Sequence, residues 1–134
     1  MRAAKPSVSV LKASYQLEDT MVEEKVFKAV ELLGGLPESL RSASKILVKP
    51  NIGYADSRRH KGRLIALSEP CITRAVLRMI RDVNKGEVII SDNPGPAGVR
   101  PLAAKLGYGR ILKEFDVRLI DADSPPFVDV EVPG

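Results

Sequence analysis

Short apolar runs alternate along this chain with amphipathic stretches of helical period, and no other feature constrains the fold as tightly. Glu87-Val88-Ile89-Ile90-Ser91-Asp92 is the clearest buried strand. Lys45-Ile46-Leu47-Val48-Lys49 is a second, halted by Pro50, which cannot donate to a sheet ladder. Val117-Arg118-Leu119-Ile120-Asp121 reads as a third. Nearer the chain ends, Ser7–Ala13 and Phe127–Val132 alternate with period two and are rich in β-branched residues, as half-buried strands are. Between these runs, Val22, Val26, Ala29, Val30 and Leu33 recur at helical spacing. Thr20-Met21-Val22-Glu23 precedes them as a capping box, with Asp19 as a rival cap, and Gly34-Gly35 ends the run. Pro37–Arg41 predicts a short helical turn. Ser68-Glu69-Pro70 predicts another helix start, with Ser as the cap and Pro in the first turn. Its core face is Ile72, Val76, Met79, Ile80 and Val83, with Arg74, Arg78, Arg81 and Lys85 on the other side. Val99, Leu102, Ala103 and Leu106 mark one more helix, closed by Gly107, and Arg110–Phe115 is a short amphipathic stretch.

Strands alternating with helices predict an α/β domain: a mostly parallel sheet with helices on both faces, joined by right-handed crossovers. The last strand follows another after a short connection, which predicts an antiparallel or edge position. Length agrees with one domain over 1–134, since 134 residues bury roughly two-thirds of the unfolded surface, enough for a single core. One cysteine excludes an internal disulfide and cannot by itself supply a Cys-rich zinc site or hold an iron–sulfur cluster. The longest apolar run is four residues, far short of a membrane span. Met1–Pro6 lacks the apolar segment of a secretory signal, so a soluble, cytoplasmic protein is expected.

The formal net charge of +4 is unevenly spread. Residues 51–100 carry 9 basic and 5 acidic groups, whereas 101–134 carry 4 and 6. A local basic cluster can attract phosphate, carboxylate or nucleic acid. Nucleic acid is disfavoured, because none of the three Tyr and three Phe is interleaved with the arginines as a stacking platform would require.

In open parallel sheets, ligands settle at the carboxyl ends of the strands. That rule selects three places. At Lys49-Pro50-Asn51, an ammonium and a carboxamide leave a strand together and could bind an anion, or could be a solvated lysine and a turn asparagine. At Asp92-Asn93-Pro94-Gly95-Pro96-Ala97-Gly98, Gly95 and Gly98 permit close backbone approach before a helix start, although taken alone the segment reads more readily as a tight turn than as a phosphate cradle. Neither a dinucleotide fingerprint nor a P-loop is present. At Asp121-Ala122-Asp123, two carboxylates could join Asp92 around a hard cation if the segments are neighbours; solvated carboxylates or caps are the alternative, and no metal is predicted. Residues 52–67 form a polar loop carrying Arg58 and Arg59, long enough to suggest a cover for a ligand. His60 lies among cations, which disfavour its protonation and do not suit a general base held by a carboxylate. Cys71 sits in a first helical turn, where the dipole could lower its pKa, but no His stands near it in sequence.

Lys45–Ile52, Glu69-Pro70 opening a helix, and Val88–Gly95 together resemble the domain-of-unknown-function family numbered 362. The resemblance covers about residues 7–132 and is concentrated in 45–52 and 87–95. It implies a Rossmann-like α/β domain with no settled activity, some of whose members are linked to ferredoxin-type iron–sulfur domains, hence a redox-associated system. This chain departs from those members in having a single cysteine. It is also short for the family, so it is expected to be a minimal form, a split half or a fragment of a longer protein. The reading that results is a domain binding a small anionic ligand or cofactor, whose identity the sequence does not specify. Lys49 and Asn51 would contact the anion, and Asp92 and Asn93 would position it. Gly95 and Gly98 would let the backbone approach, and Arg58 and Arg59 would cover it. No nucleophile–base pair identifies an enzyme. The alternative is a non-catalytic module that docks a protein partner or another subunit through the basic helix face.

Overall fold

The computed structural model describes residues 7–53 and 58–131. Along the chain, α1 (Asp19–Leu32) and α2 (Ser39–Ser42) precede β1 (Lys45–Val48). A hairpin of β2 (Arg59–His60) and β3 (Arg63–Leu64) leads to α3 (Pro70–Val83) and β4 (Glu87–Asp92). A 3-10 turn at Gly95–Ala97 then opens onto α4 (Val99–Leu106), α5 (Tyr108–Glu114) and β5 (Arg118–Asp121). The sheet runs β1-β4-β5, parallel throughout, so the α/β reading holds.

Register decides which side chains form the core. Ile46 pairs with Val88, Val48 with Ile90, and Ile90 with Leu119, so these five share one face. They pack with Leu77 and Ile80 of α3, Val99 and Ala103 of α4, and Tyr108 and Ile111 of α5 in a single cluster. The opposite face carries Leu47, Ile89 and Ile120, fringed by Glu87, which pairs with Lys45 at 3.2 Å and Arg118 at 3.3 Å. Leu47 there is 63% exposed, whereas Ile89 on the central strand is 7% exposed. The expected helices on both faces are therefore corrected to one covered face among the described residues. Both crossovers step the same way across the sheet, from β1 to β4 to β5, and two right-handed crossovers in one direction put their helices on one side. Alternation in a sequence fixes the layers but not that direction.

Two expected strands do not form. Ser7–Ala13 has no ladder partner, and Val8 and Val10 are 85% and 84% exposed. Phe127–Glu131 is likewise unpaired, and Val132 lies outside the described residues. Period-two alternation makes a segment competent for a sheet, but an accepting edge has to reach it.

The helices differ in detail for physical reasons. α1 starts at Asp19 with Glu18 at its N-cap, rather than through the Thr20 capping box. It packs on α3, not on the sheet, and its one buried residue is Glu23. α3 therefore has neighbours on two sides, and Thr73, Leu77 and Ile80 point inward while Ile72 is exposed. Thr73 is tolerated there because its hydroxyl lies 3.0 Å from the phenol of fully buried Tyr108, so both polar atoms are partnered. Just past α3, buried Asn84 donates to the carbonyls of Leu40 at 2.6 Å and Ala43 at 2.8 Å and accepts from the Gly86 N–H. That clamp fixes the entry into β1 against the exit of α3.

Candidate functional site

β4 and β5 end level, Asp92 pairing with Asp121, and β1 ends two residues earlier, at Val48 opposite Ile90, so that Lys49–Gly53 run on beside Asp92. The three segments singled out in the sequence consequently meet. Asp92 stands at the centre, buried, with its side chain only 4% exposed. Its Oδ2 accepts the N–H of Ile52 at 2.9 Å and of Gly53 at 2.8 Å, and its Oδ1 accepts the Lys49 ammonium at 2.5 Å. Burial pushes the Asp92 carboxyl up, but the Gly53 N–H, the Lys49 ammonium and the N–H groups of Asn93 and Ile52 outweigh it. Together they hold the carboxyl below its ordinary value. Asp92 thus ties the turn after β1 to the end of β4, and Lys49 reaches in from a side chain that is 68% exposed.

Asn51 is placed differently from Lys49. Its carboxamide donates to the Ala66 carbonyl at 2.8 Å, and its N–H donates to the Ser68 hydroxyl at 2.9 Å. Ser68, expected to cap α3, holds Asn51 instead, and Glu69 occupies the N-cap without a side-chain bond to the helix. Gly53 is required at its position: φ is +47°, and a Cβ would lie 2.3 Å from the Asn51 Oδ1.

On the other side, Asn93 donates to Asp123 at 2.9 Å and accepts the Gly95 N–H at 2.9 Å. Asp121 accepts the Val99 N–H at 3.1 Å, capping α4 across the gap between strands, and accepts the Asp123 N–H at 3.2 Å. Gly98, at φ +68°, passes so close that a Cβ would sit 3.1 Å from the Asp121 Oδ2. The three carboxylates considered for a cation are therefore neighbours, each already engaged by the chain's own donors.

Of the polar loop, residues 54–57 lie outside the described residues. The rest is the β2–β3 hairpin. Arg59 donates to the Gly62 carbonyl at 2.6 Å. Arg58 gives its carbonyl to the Ile65 N–H. Arg63 binds Asp19 at 2.6 Å and the Leu17 carbonyl. Arg59, Lys61 and Arg63, with Tyr15, Asp19 and Glu69, line a cavity of about 480 Å³ distinct from the Lys49–Asp92 pair. His60 stacks edge-on against Tyr15, ring centroids 5.0 Å apart. Burial, seconded by the Asp19 carboxylate, pushes the Cys71 thiol up to about 11, opposite to the lowering that a helix start suggested.

The arginine stripe of α3 is turned to internal acceptors. Arg74 binds Glu114 through Nε and Nη2 and Glu23 at 2.8 Å. Arg78 reaches Glu23 at 3.2 Å. Arg81 donates to the carbonyls of Phe115, Gly86 and Asp116, and Lys85 to that of Arg81.

A family model described as Domain of unknown function (DUF362) matches residues 46–134. The chain belongs to this family. No curated protein and no solved structure matches it. The DUF362 match takes in β1 from its second residue, β4, β5 and all three strand ends, and begins well after the point where the resemblance read from the sequence does. The local bonds within the DUF362 strand ends were legible, since Asn93 to Gly95 and Asp121 to Asp123 are side-chain turns closing on the second residue onward. The capping of Val99 by Asp121 and the hold of Asp92 on Ile52 and Gly53 were not, because each joins residues far apart in sequence.

Proposed function

We propose that this DUF362 domain binds a small anionic ligand or cofactor at the carboxyl ends of its parallel strands, with Lys49 as the cation that meets it. The observation that carries the reading is the division of labour at Asp92. Its buried carboxylate is held at Oδ2 by the backbone N–H groups of Ile52 and Gly53, so it keeps two donors when the largely exposed Lys49 ammonium turns from Oδ1 to a ligand. Asp121 spends its oxygens on the N–H groups of Val99 and Asp123, and Asp123 spends one on the Asn93 carboxamide, which lessens their opposition to an anion. Gly95, at positive φ, has open space where a side chain would stand, and Gly98, also at positive φ, lets the chain pass close to Asp121. Asn51 supports the site by holding its wall, and Arg58 and Arg59 stand on the hairpin beyond it. A redox-associated role would need a centre supplied by another chain, given one cysteine. No observation favours docking through the α3 arginines, which are engaged by acceptors of the chain itself.

The test is a thermal screen of nucleotides, inorganic phosphates and small organic acids. A ligand at about one hundred times its dissociation constant stabilises by about 2.7 kcal/mol, a shift of several degrees. The shift should vanish in Lys49→Ala and persist in Lys45→Ala, a control on the bare face. Full stabilisation of Lys49→Ala by every hit, or no hit at all, would sink the proposal.

A further inference from the structure

β5 pairs with β4 alone among the described residues, so its outer edge carries unpaired backbone donors and acceptors. Such an edge is a template for another strand. A cavity of about 580 Å³ runs along it, with Ala103, Leu112, Val117 and Leu119 as an apolar floor and Arg100 and Arg118 at its borders. The fitting occupant is a strand that alternates apolar with acidic residues.

This chain contains one. Phe127-Val128-Asp129-Val130-Glu131 alternates cleanly, is unpaired, and leaves Phe127, Val128 and Val130 69%, 83% and 76% exposed. Among the described residues, Arg100, Asp129 and Glu131 have no ion-pair partner. The other unpaired segment, Ser7-Val8-Ser9-Val10-Leu11, has no acid and runs into Lys12, so it does not complement two arginines.

We infer that the β5 edge is an interface for a second copy of this chain, which lays its 127–131 segment antiparallel along β5. One register satisfies both faces. Val128 opposite Leu119 and Val130 opposite Val117 face the helix-covered side, where Leu119 and Val117 already pack. Phe127 opposite Ile120 and Asp129 opposite Arg118 face the bare side, joining the charged fringe of Glu87 and Arg118. The segment's own β5 is the less suitable acceptor. Residues 122–126 connect them, ending in two prolines with fixed φ and no N–H, and 127–131 stays unpaired beside its own β5. Reciprocal exchange about a two-fold axis closes the assembly and pairs both edges, as strand addition does in peptide-binding sheets.

Light scattering on the full chain across a concentration series tests this. The mass should rise to twice that of the chain. It should return to one chain in Val130→Pro and in Asp129→Arg, both in exposed coil, with melting temperatures matching the wild-type monomer. Asp129→Arg combined with Arg118→Asp should restore the dimer. A wild type that stays monomeric at every concentration would overturn the inference. So would a dimer that survives Val130→Pro, or a monomer whose amides at 128–130 are protected from exchange, which would mean pairing within one chain.

Discussion

Removing the Asp92 carboxylate is the sharpest test of how the strand ends are built. In Asp92→Ala, the N–H groups of Ile52 and Gly53 lose their acceptor, and Ile52 is fully buried. A buried donor left unsatisfied costs about 1–3 kcal/mol, so two place the loss at about 3–5 kcal/mol once partial relaxation is allowed. Asp92→Asn keeps one oxygen to accept both N–H groups but turns an amide donor toward the Lys49 ammonium. Charge-assisted bonds are roughly twice as strong as neutral ones, and the loss falls to about 1–2 kcal/mol. Lys49→Ala costs no more than about 1 kcal/mol, because its partner keeps the backbone donors and the lysine is mostly in solvent. Urea unfolding followed by circular dichroism should return that order, with Asp92→Ala the most damaged. The carboxyl is also depressed below its unfolded value. Its stabilisation is therefore complete above the unfolded pKa, near 3.9, and drains away as pH falls through the lower folded value. Asp92→Asn should flatten the loss of stability in that acid window relative to wild type. Equal stabilities for Asp92→Ala and Lys49→Ala, or an unchanged acid limb in Asp92→Asn, would refute the account of Asp92 as the tie between β1 and β4.

Two other outcomes are expected. Arg74→Ala should destabilise by on the order of 2 kcal/mol in urea, since buried Glu23 keeps only Arg78 and Glu114 loses its two-pronged partner; a neutral result would return the stripe to solvent. Native Cys71, its thiol pushed up to about 11, should react with iodoacetamide far more slowly at pH 8 than the unfolded chain does, and rapid native alkylation would refute its protonated, buried state.

The core strands were legible because β1, β4 and β5 are compact apolar runs bounded by proline or polar residues. The candidate site was legible because a parallel sheet gathers its strand ends on one side, and Lys49, Asp92 and Asp121 stand there. What each residue does was not. Asn51 and Ser68 bind each other's segment, and the α3 arginines find Glu23 and Glu114 on helices distant in the chain. Sequence periodicity cannot report such partners. It likewise gave Ile72 an inward place on α3, because it counts apolar residues and cannot see that Thr73 has a buried phenol to bond with.

By itself, then, the sequence determined the alternation of strands and helices, the length of the core strands and the family, all of which rest on residues close together in the chain. The tertiary structure alone decided that the helices share one face, that two strand-competent segments lack partners, and that Asp92 is a tie rather than an open ligand. Each of those depends on which distant groups come within hydrogen-bonding or van der Waals reach. That follows from the direction of the crossovers and the register of the sheet, which local pattern does not encode.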